Sequence, residues 1–280
     1  MTDVAQMDVS VLVRAAQSRK RNSERIYAVL RYASIALFFL VWFLVTWLNN
    51  NVLRLYNPIL IPTPLQVVAV GIEAWQSGDL LKDIGASFYR VVLGFTVAAV
   101  AGIGLGVLIA KIRLVESLVE PILEMFRPVP SLAFLPLLVL WFGIGETSKI
   151  VFIAYATFFP VFTATRLGMR QIDPVLVRAA RSLGGTTGEI FRHVELPAAS
   201  PSILSGLRMG FGMAFFVIVA AEYIAAESGL GYMINNSRTY FDVPRMLLGA
   251  FVIGLIGFCI NIGLSRLERR LLRWQPGARR

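Results

Sequence analysis

Val91-Val92-Leu93-Gly94-Phe95-Thr96-Val97-Ala98-Ala99-Val100-Ala101-Gly102-Ile103-Gly104-Leu105-Gly106-Val107-Leu108-Ile109-Ala110 is a run of twenty residues with no charge and one hydroxyl, that of Thr96. Coiled as a helix it spans about 30 Å, the thickness of the hydrocarbon core of a bilayer. Five other stretches share its character with small interruptions: Ala33–Leu48, Ser117–Phe142, Ile150–Thr165, Ile203–Ile224 and Met246–Ser265. Ala33–Leu48 and Ile150–Thr165 are short and rely on flanking residues such as Arg31 and Arg166 to snorkel. The whole 280-residue chain is 56% hydrophobic and 16% charged, whereas soluble domains carry about a quarter charged residues. So apolar a chain does not stay solvated as a disordered one. One cysteine, Cys259, and one histidine, His193, leave no disulfide framework, zinc site or histidine cluster. The sequence predicts an all-α polytopic membrane protein with six transmembrane helices.

The net charge of +10 acquires meaning from its placement. Nineteen of the 27 basic residues fall in one set of segments: six up to Arg31, Lys111 and Arg113, five from Arg166 to Arg192, and six from Arg266 onward. The opposite loops hold five: Arg54, Lys82, Lys149, Arg238 and Arg245. Basic residues mark the cytoplasmic side, so both termini are expected there. No basic–aromatic recognition motif accompanies the charge, and no nucleic-acid partner is expected. Residues before Arg31 contain no apolar stretch, so no cleaved leader is expected. The predicted organisation is a basic N-terminal segment over 1–32, a membrane domain over 33–265 and a basic tail over 266–280. Within the N-terminal segment, Val11 to Tyr27 is basic and mildly amphipathic, suited either to the anionic inner leaflet or to a solvated tail.

The longest cytoplasmic loop, 166–202, has internal structure. Asp173-Pro174 is a helix start, with a capping carboxylate and a proline at the first helical position, and Gly184-Gly185 is a helix stop. A second short helix is expected from Thr187 to about Val194, before Leu196-Pro197. Two short helices joined at glycine form a compact knob, which on a membrane protein suits a docking element. Ala179-Ala180, three residues, Gly184, nine residues, then Val194-Glu195-Leu196-Pro197 resembles the EAA loop of ABC-importer permeases. Arg178 stands where that pattern has an acid. Further stretches resemble the nitrate/sulfonate/taurine branch of the family: Ile61-Pro62-Thr63-Pro64, Ser87-Phe88-Tyr89-Arg90, Arg127-Pro128-Val129-Pro130, Trp141 to Glu146, and Glu222 through Ser228-Gly229-Leu230-Gly231-Tyr232.

The resemblance implies a type I importer permease of the bacterial inner membrane. Two copies would form the pore, two ATPase subunits would bind ATP and Mg beneath it, and a periplasmic binding protein would deliver a small anion such as a sulfonate, taurine or nitrate. This chain would be no enzyme and hold no cofactor or metal. It lacks a G-x-x-x-x-G-K-[ST] phosphate loop. The implied ATPase-coupling residues are Arg178, Ala179, Ala180, Gly184, Val194, Leu196 and Pro197, where Arg178 either pairs with an ATPase carboxylate or is solvated.

Charges inside spans are costly and mark function or pairing. Arg127 precedes Pro128-Val129-Pro130, where helical hydrogen bonding must break. Broken helices often line solute paths, so Arg127, Pro128 and Pro130 are candidates for one. Arg127 would there grip an oxyanion with its planar fork; otherwise it neutralises Glu124, Glu120 or Glu222. Glu222 itself either caps the pore or pairs with Arg90. Arg208 is expected to snorkel and Asn261 to bond between helices, while Gly102/Gly106 and Gly206/Gly210 suit close helix packing. A stand-alone channel or secondary transporter leaves the knob unexplained. An intramembrane enzyme lacks its catalytic constellation.

Overall fold

The computed structural model describes residues 27, 29, 30 and 33–272. The amphipathic N-terminal stretch up to residue 26, and Arg273, Arg279 and Arg280 of the tail, lie outside these. Two units are distinguished, residues 1–69 and 70–280.

In the first unit, α1 (Ala33–Leu53) is long and apolar enough to cross a membrane and ends in a π-turn over Asn49–Leu53. Asn49 holds the chain that follows: its amide accepts from the Tyr56 N–H and donates to the Tyr56 carbonyl, both at 3.0 Å. Thr46 is buried and donates back to the carbonyls of Trp42 and Phe43, which spares an apolar helix an unsatisfied hydroxyl. Helix α2 (Pro64–Gln76) starts here with a capping box. The Thr63 N–H donates to the Gln66 side chain at 2.8 Å, the Gln66 N–H donates to Thr63 Oγ1 at 3.3 Å, and Pro64 takes the first helical position.

The second unit is organised around α3 (Asp79–Lys111), α6 (Glu146–Arg170) and α9 (Leu196–Ala225). Helix α6 lies between the other two, in seams made by small residues. A Cβ added at Gly94 or Gly106 of α3 would sit 2.7 Å from Ile153 Cβ or 2.9 Å from Thr165 Cβ of α6. On the other flank, a Cβ at Gly206 of α9 would sit 2.5 Å from Ala164 Cβ. Both expected glycine pairs therefore face α6. Backbone approach of this kind supplies dispersion contacts that replace the hydrophobic drive absent in lipid. A core of Val91, Leu135, Leu138, Phe152, Ile153, Phe215 and Ile218 fills the middle.

The third expected span, Ser117–Phe142, is two helices. Helix α4 (Arg113–Phe126) and α5 (Ser131–Phe142) meet at 99° across Arg127–Pro130, where Pro128 and Pro130 withhold backbone donors. By length and composition the described residues hold five helices able to cross a membrane, or six if this bent pair is one span. Helix α4 departs from a simple span in another way. Glu116, Glu120 and Glu124 recur every four residues and so share a face, which meets α6. Arg166 pairs with Glu120, and lies 3.7 Å from Glu124; Arg170 pairs with Glu116, and lies 3.3 Å from Glu120. Arg166 thus does not snorkel. It is paired within the protein, and α6 runs on to Arg170 because its charges are neutralised locally.

Helix α7 (Pro174–Ser182) starts and stops where the sequence predicts. The second short helix does not stand alone. After α8 (Thr187–Ile190) the chain passes through a π-turn, Phe191–Glu195, straight into α9. The knob is therefore one short helix and the overhanging start of a long one. Helix α10 (Leu230–Thr239) and the last span, α11 (Val243–Leu271), complete the fold. Arg208 donates to Asn261 Oδ1 at 3.0 Å and lies 3.4 Å from Glu268, so the expected snorkelling cation and the expected interhelical amide are bonded to each other.

Candidate functional site

Three arrangements carry the residues singled out by the sequence. The first is the α7 loop. The side chain of Asp173 accepts from the Val175 N–H at 2.8 Å, and the helix ends in a paired closure. Gly184 N–H donates to the Arg181 carbonyl at 3.0 Å and Gly185 N–H to the Ala180 carbonyl at 3.1 Å. This closure needs a left-handed residue at Gly184, whose φ is +83°. Thr186 and Glu189 then cap the next helix reciprocally. No residue of α7 is buried. Val175, Leu176 and Leu183 are exposed, Leu183 to 90%, as are Arg178 and Ala179. Among the described residues Arg178 makes no ion pair. Val194, Leu196 and Pro197 are half-buried at the base of the loop. The loop displays an apolar face that the described residues do not cover.

The second arrangement is a furrow at the α4–α5 break. A cavity of about 540 Å³ is lined by Arg127, Pro128, Pro130, Tyr155, Phe159 and Met209, among others. A neighbouring apolar cavity of about 740 Å³ runs toward Tyr223 and Ile224, and the two share Pro130, Ser131 and Met213. Arg127 is half-exposed, and its pairing is a long 3.4 Å contact to Glu124 one turn back. The other two carboxylates considered for it are engaged elsewhere: Glu120 by Arg166 and Arg170, and Glu222 by Arg90.

Glu222 belongs to the third arrangement and not to the furrow. Its side chain is 0% exposed and makes the pair with Arg90, one of the two roles read for it in the sequence. The Arg90 guanidinium, 3% exposed, uses its whole donor fork. It meets Glu222 at 2.6 Å, Glu146 at 2.6 and 2.7 Å, and the Ser228 carbonyl at 2.6 Å. Glu222 also accepts from Ser87 and from the Gly231 N–H, each at 2.8 Å. Asp83 accepts from the Gly229 N–H at 2.8 Å, and Lys149 lies 3.0 Å from Glu146. These bonds tie α3, α6, α9 and the start of α10 together at the end opposite the α7 loop. Sequence reading gave Ser87, Glu146 and Lys149 no role in a site. Three of the stretches quoted for the family resemblance, at Ser87–Arg90, Trp141–Glu146 and Glu222–Tyr232, converge on this one cluster.

A bundle of apolar helices with a seamed core, a broken helix beside a furrow and an uncovered helical loop is the framework of a membrane transport component. Residues 102–273 match the family described as "Binding-protein-dependent transport system inner membrane component", and the chain belongs to that family. It is a multi-pass inner-membrane protein and a transporter permease subunit. It is 36% identical over 271 residues to the taurine transport system permease protein TauC of Escherichia coli (strain K12), covering 95% of this chain and 98% of that one. It is also 36% identical over 229 residues to a putative aliphatic sulfonates transport permease protein, SsuC, of Bacillus subtilis (strain 168), covering 82% and 83%. Its fold is similar to that of a chain from the inward-facing MetNI methionine ABC transporter, with a TM-score of 0.61 at 20% identity, over 69% of this chain and 95% of that one.

Proposed function

We propose that the chain is the pore-forming subunit of an ATP-driven importer for a small sulfonate-bearing solute, taurine or an alkanesulfonate, delivered by a periplasmic binding protein. The end-to-end similarity to a taurine permease carries this reading. Two copies form the pore. ABC ATPase subunits, which hold ATP and Mg, dock on the α7 loop through Val175, Leu176, Arg178, Ala179, Ala180 and Leu183. Val194, Leu196 and Pro197 join that loop to α9, and the furrow at Arg127, Pro128 and Pro130 serves as the solute path.

Both termini are placed in the cytoplasm by the distribution of basic residues. Reporter fusions after Ser265 are expected to behave as cytoplasmic and fusions near Asn235 as periplasmic. The reverse pattern removes the docking assignment, since it puts α7 outside.

Gly184→Val tests the docking itself. A Cβ at Gly184 meets nothing within 4 Å, so the variant disturbs only a backbone held at φ +83°. A left-handed β-branched residue costs about 1–2 kcal/mol or more, enough to open the closure of α7 about tenfold. Co-purification with the ATPase subunit and taurine uptake are expected to fall together, while the yield of the permease stays near wild type. Normal uptake in this variant contradicts the assignment.

A further inference from the structure

The helical run from Thr187 to Ile224 is continuous except for one irregularity, the π-turn Phe191–Glu195. Its cause is local. Pro197 carries no N–H, and its ring crowds the carbonyl four residues back, so the turn before it widens. The Leu196 N–H accordingly donates to the carbonyl of Phe191, five residues back. Single π-turns inside long helices mark places where a helix can change register. Converting one to α-helix rotates everything beyond it by roughly 100°, the angle subtended by one residue. Left free, this turn would absorb any push that the α7 loop delivers to α9.

It is not left free. Lys111 is the last residue of α3, where a helix C-terminus favours a cation. Its ammonium pairs with Glu195, the last residue of the π-turn, and lies 5.8 Å from the ring centroid of Phe191, the first. Glu195 is 8% exposed, and its Oε2 has no hydrogen-bond partner besides this ion contact. One side chain thus grips both ends of the irregular turn and fastens them to α3, itself seamed to α6. Beneath it, Met169, Ala199 and Ile203 pack with Ile172 and Leu196 in a small core.

We infer that Lys111 is a positioning residue for transport: it clamps the Phe191–Glu195 π-turn to α3, so that movement of the α7 loop is passed to the spanning helices instead of being lost in the turn. This inference rests on the docking of an ATPase at that loop. The test uses the complete complex of permease, ATPase and binding protein in proteoliposomes, with ATP hydrolysis and solute uptake measured on the same vesicles. Lys111→Met is expected to co-purify with the ATPase and to hydrolyse ATP near the wild-type rate. Its uptake per ATP should fall at least about fivefold, the low end of a typical coupling free energy. The exchange Lys111→Glu with Glu195→Lys should restore most of that ratio. Glu195→Gln provides the same comparison if Lys111→Met lowers the yield. An unchanged uptake-to-ATP ratio in Lys111→Met or Glu195→Gln overturns the clamp alone. A wild-type permease that co-purifies with no ATPase subunit overturns the docking reading and the clamp with it.

Discussion

Arg90→Met is expected to abolish most of the folded, monodisperse protein recovered from membranes. Arg90 is 3% exposed and the Glu222 side chain 0%, so the substitution strands a carboxylate that has no route to water. Removing one partner of a buried ion pair costs about 3–5 kcal/mol, because the remaining charge keeps its desolvation penalty and loses its compensation. The loss extends beyond Glu222. Ser228 loses the guanidinium that holds its carbonyl at 2.6 Å, and the link between α3 and Glu146 is cut. Glu222→Gln should be milder, since Arg90 keeps its pair with Glu146 and the amide oxygen still accepts from part of the donor set that faces Glu222. Arg90→Met combined with Glu222→Gln should recover part of the yield. Size-exclusion recovery and thermal denaturation in detergent report these differences. A melting point for Arg90→Met within a degree or two of wild type contradicts the account of the cluster.

Arg127→Met is expected to do the opposite, leaving the assembled complex intact and removing transport. The pair Arg127–Glu124 is one helical turn apart, 3.4 Å long and half-exposed; such pairs contribute about 0–1 kcal/mol. Its loss therefore costs little stability. A sulfonate or similar anion entering the furrow would lose a charge-assisted contact of about 1.5–3 kcal/mol, so uptake should fall about ten- to a hundredfold. Arg127→Lys retains the charge without the planar fork and should fall between the two. Quantifying complex and uptake separately decides the matter. Uptake near wild type in Arg127→Met assigns the path to other residues.

The parts of this fold legible in the sequence are those fixed by neighbours in the chain. The uncharged run of α3, the Asp173-Pro174 start and Gly184 stop of α7, and the break at Pro128 and Pro130 each depend on local backbone chemistry. What the sequence leaves open depends on distant partners. Lys149 and Arg166 look like the ends of a short span until Glu146 and Glu120 are seen to neutralise them, which lengthens α6 to Glu146–Arg170. Glu222 reads equally as a pore cap or a partner of Arg90, and its pairing with a residue 132 positions away appears only in the folded chain. Helix α2 is a different case. Its capping signature, Thr63-Pro64-Leu65-Gln66, stands in the sequence, but the helix is too short to register as a span. The π-turn was legible in principle from Pro197, yet the same proline also suits a helix stop, and the sequence is first read as a short helix that ends near Val194.

The glycine seams on both sides of α6 have a mechanical consequence. Helices that touch backbone to backbone cannot slide or flex independently, so α3, α6 and α9 behave as one stiff plate. Helix α9 has thirty residues, a lever arm of about 45 Å, and tilting it by about 10° displaces its far end by ~8 Å. The far end carries Glu222, the anchor for Ser87 and Gly231. A small turn of the plate at the α7 loop would therefore swing the Arg90 cluster as a single piece, and the furrow would widen or narrow at its rim without any helix inside the plate changing shape.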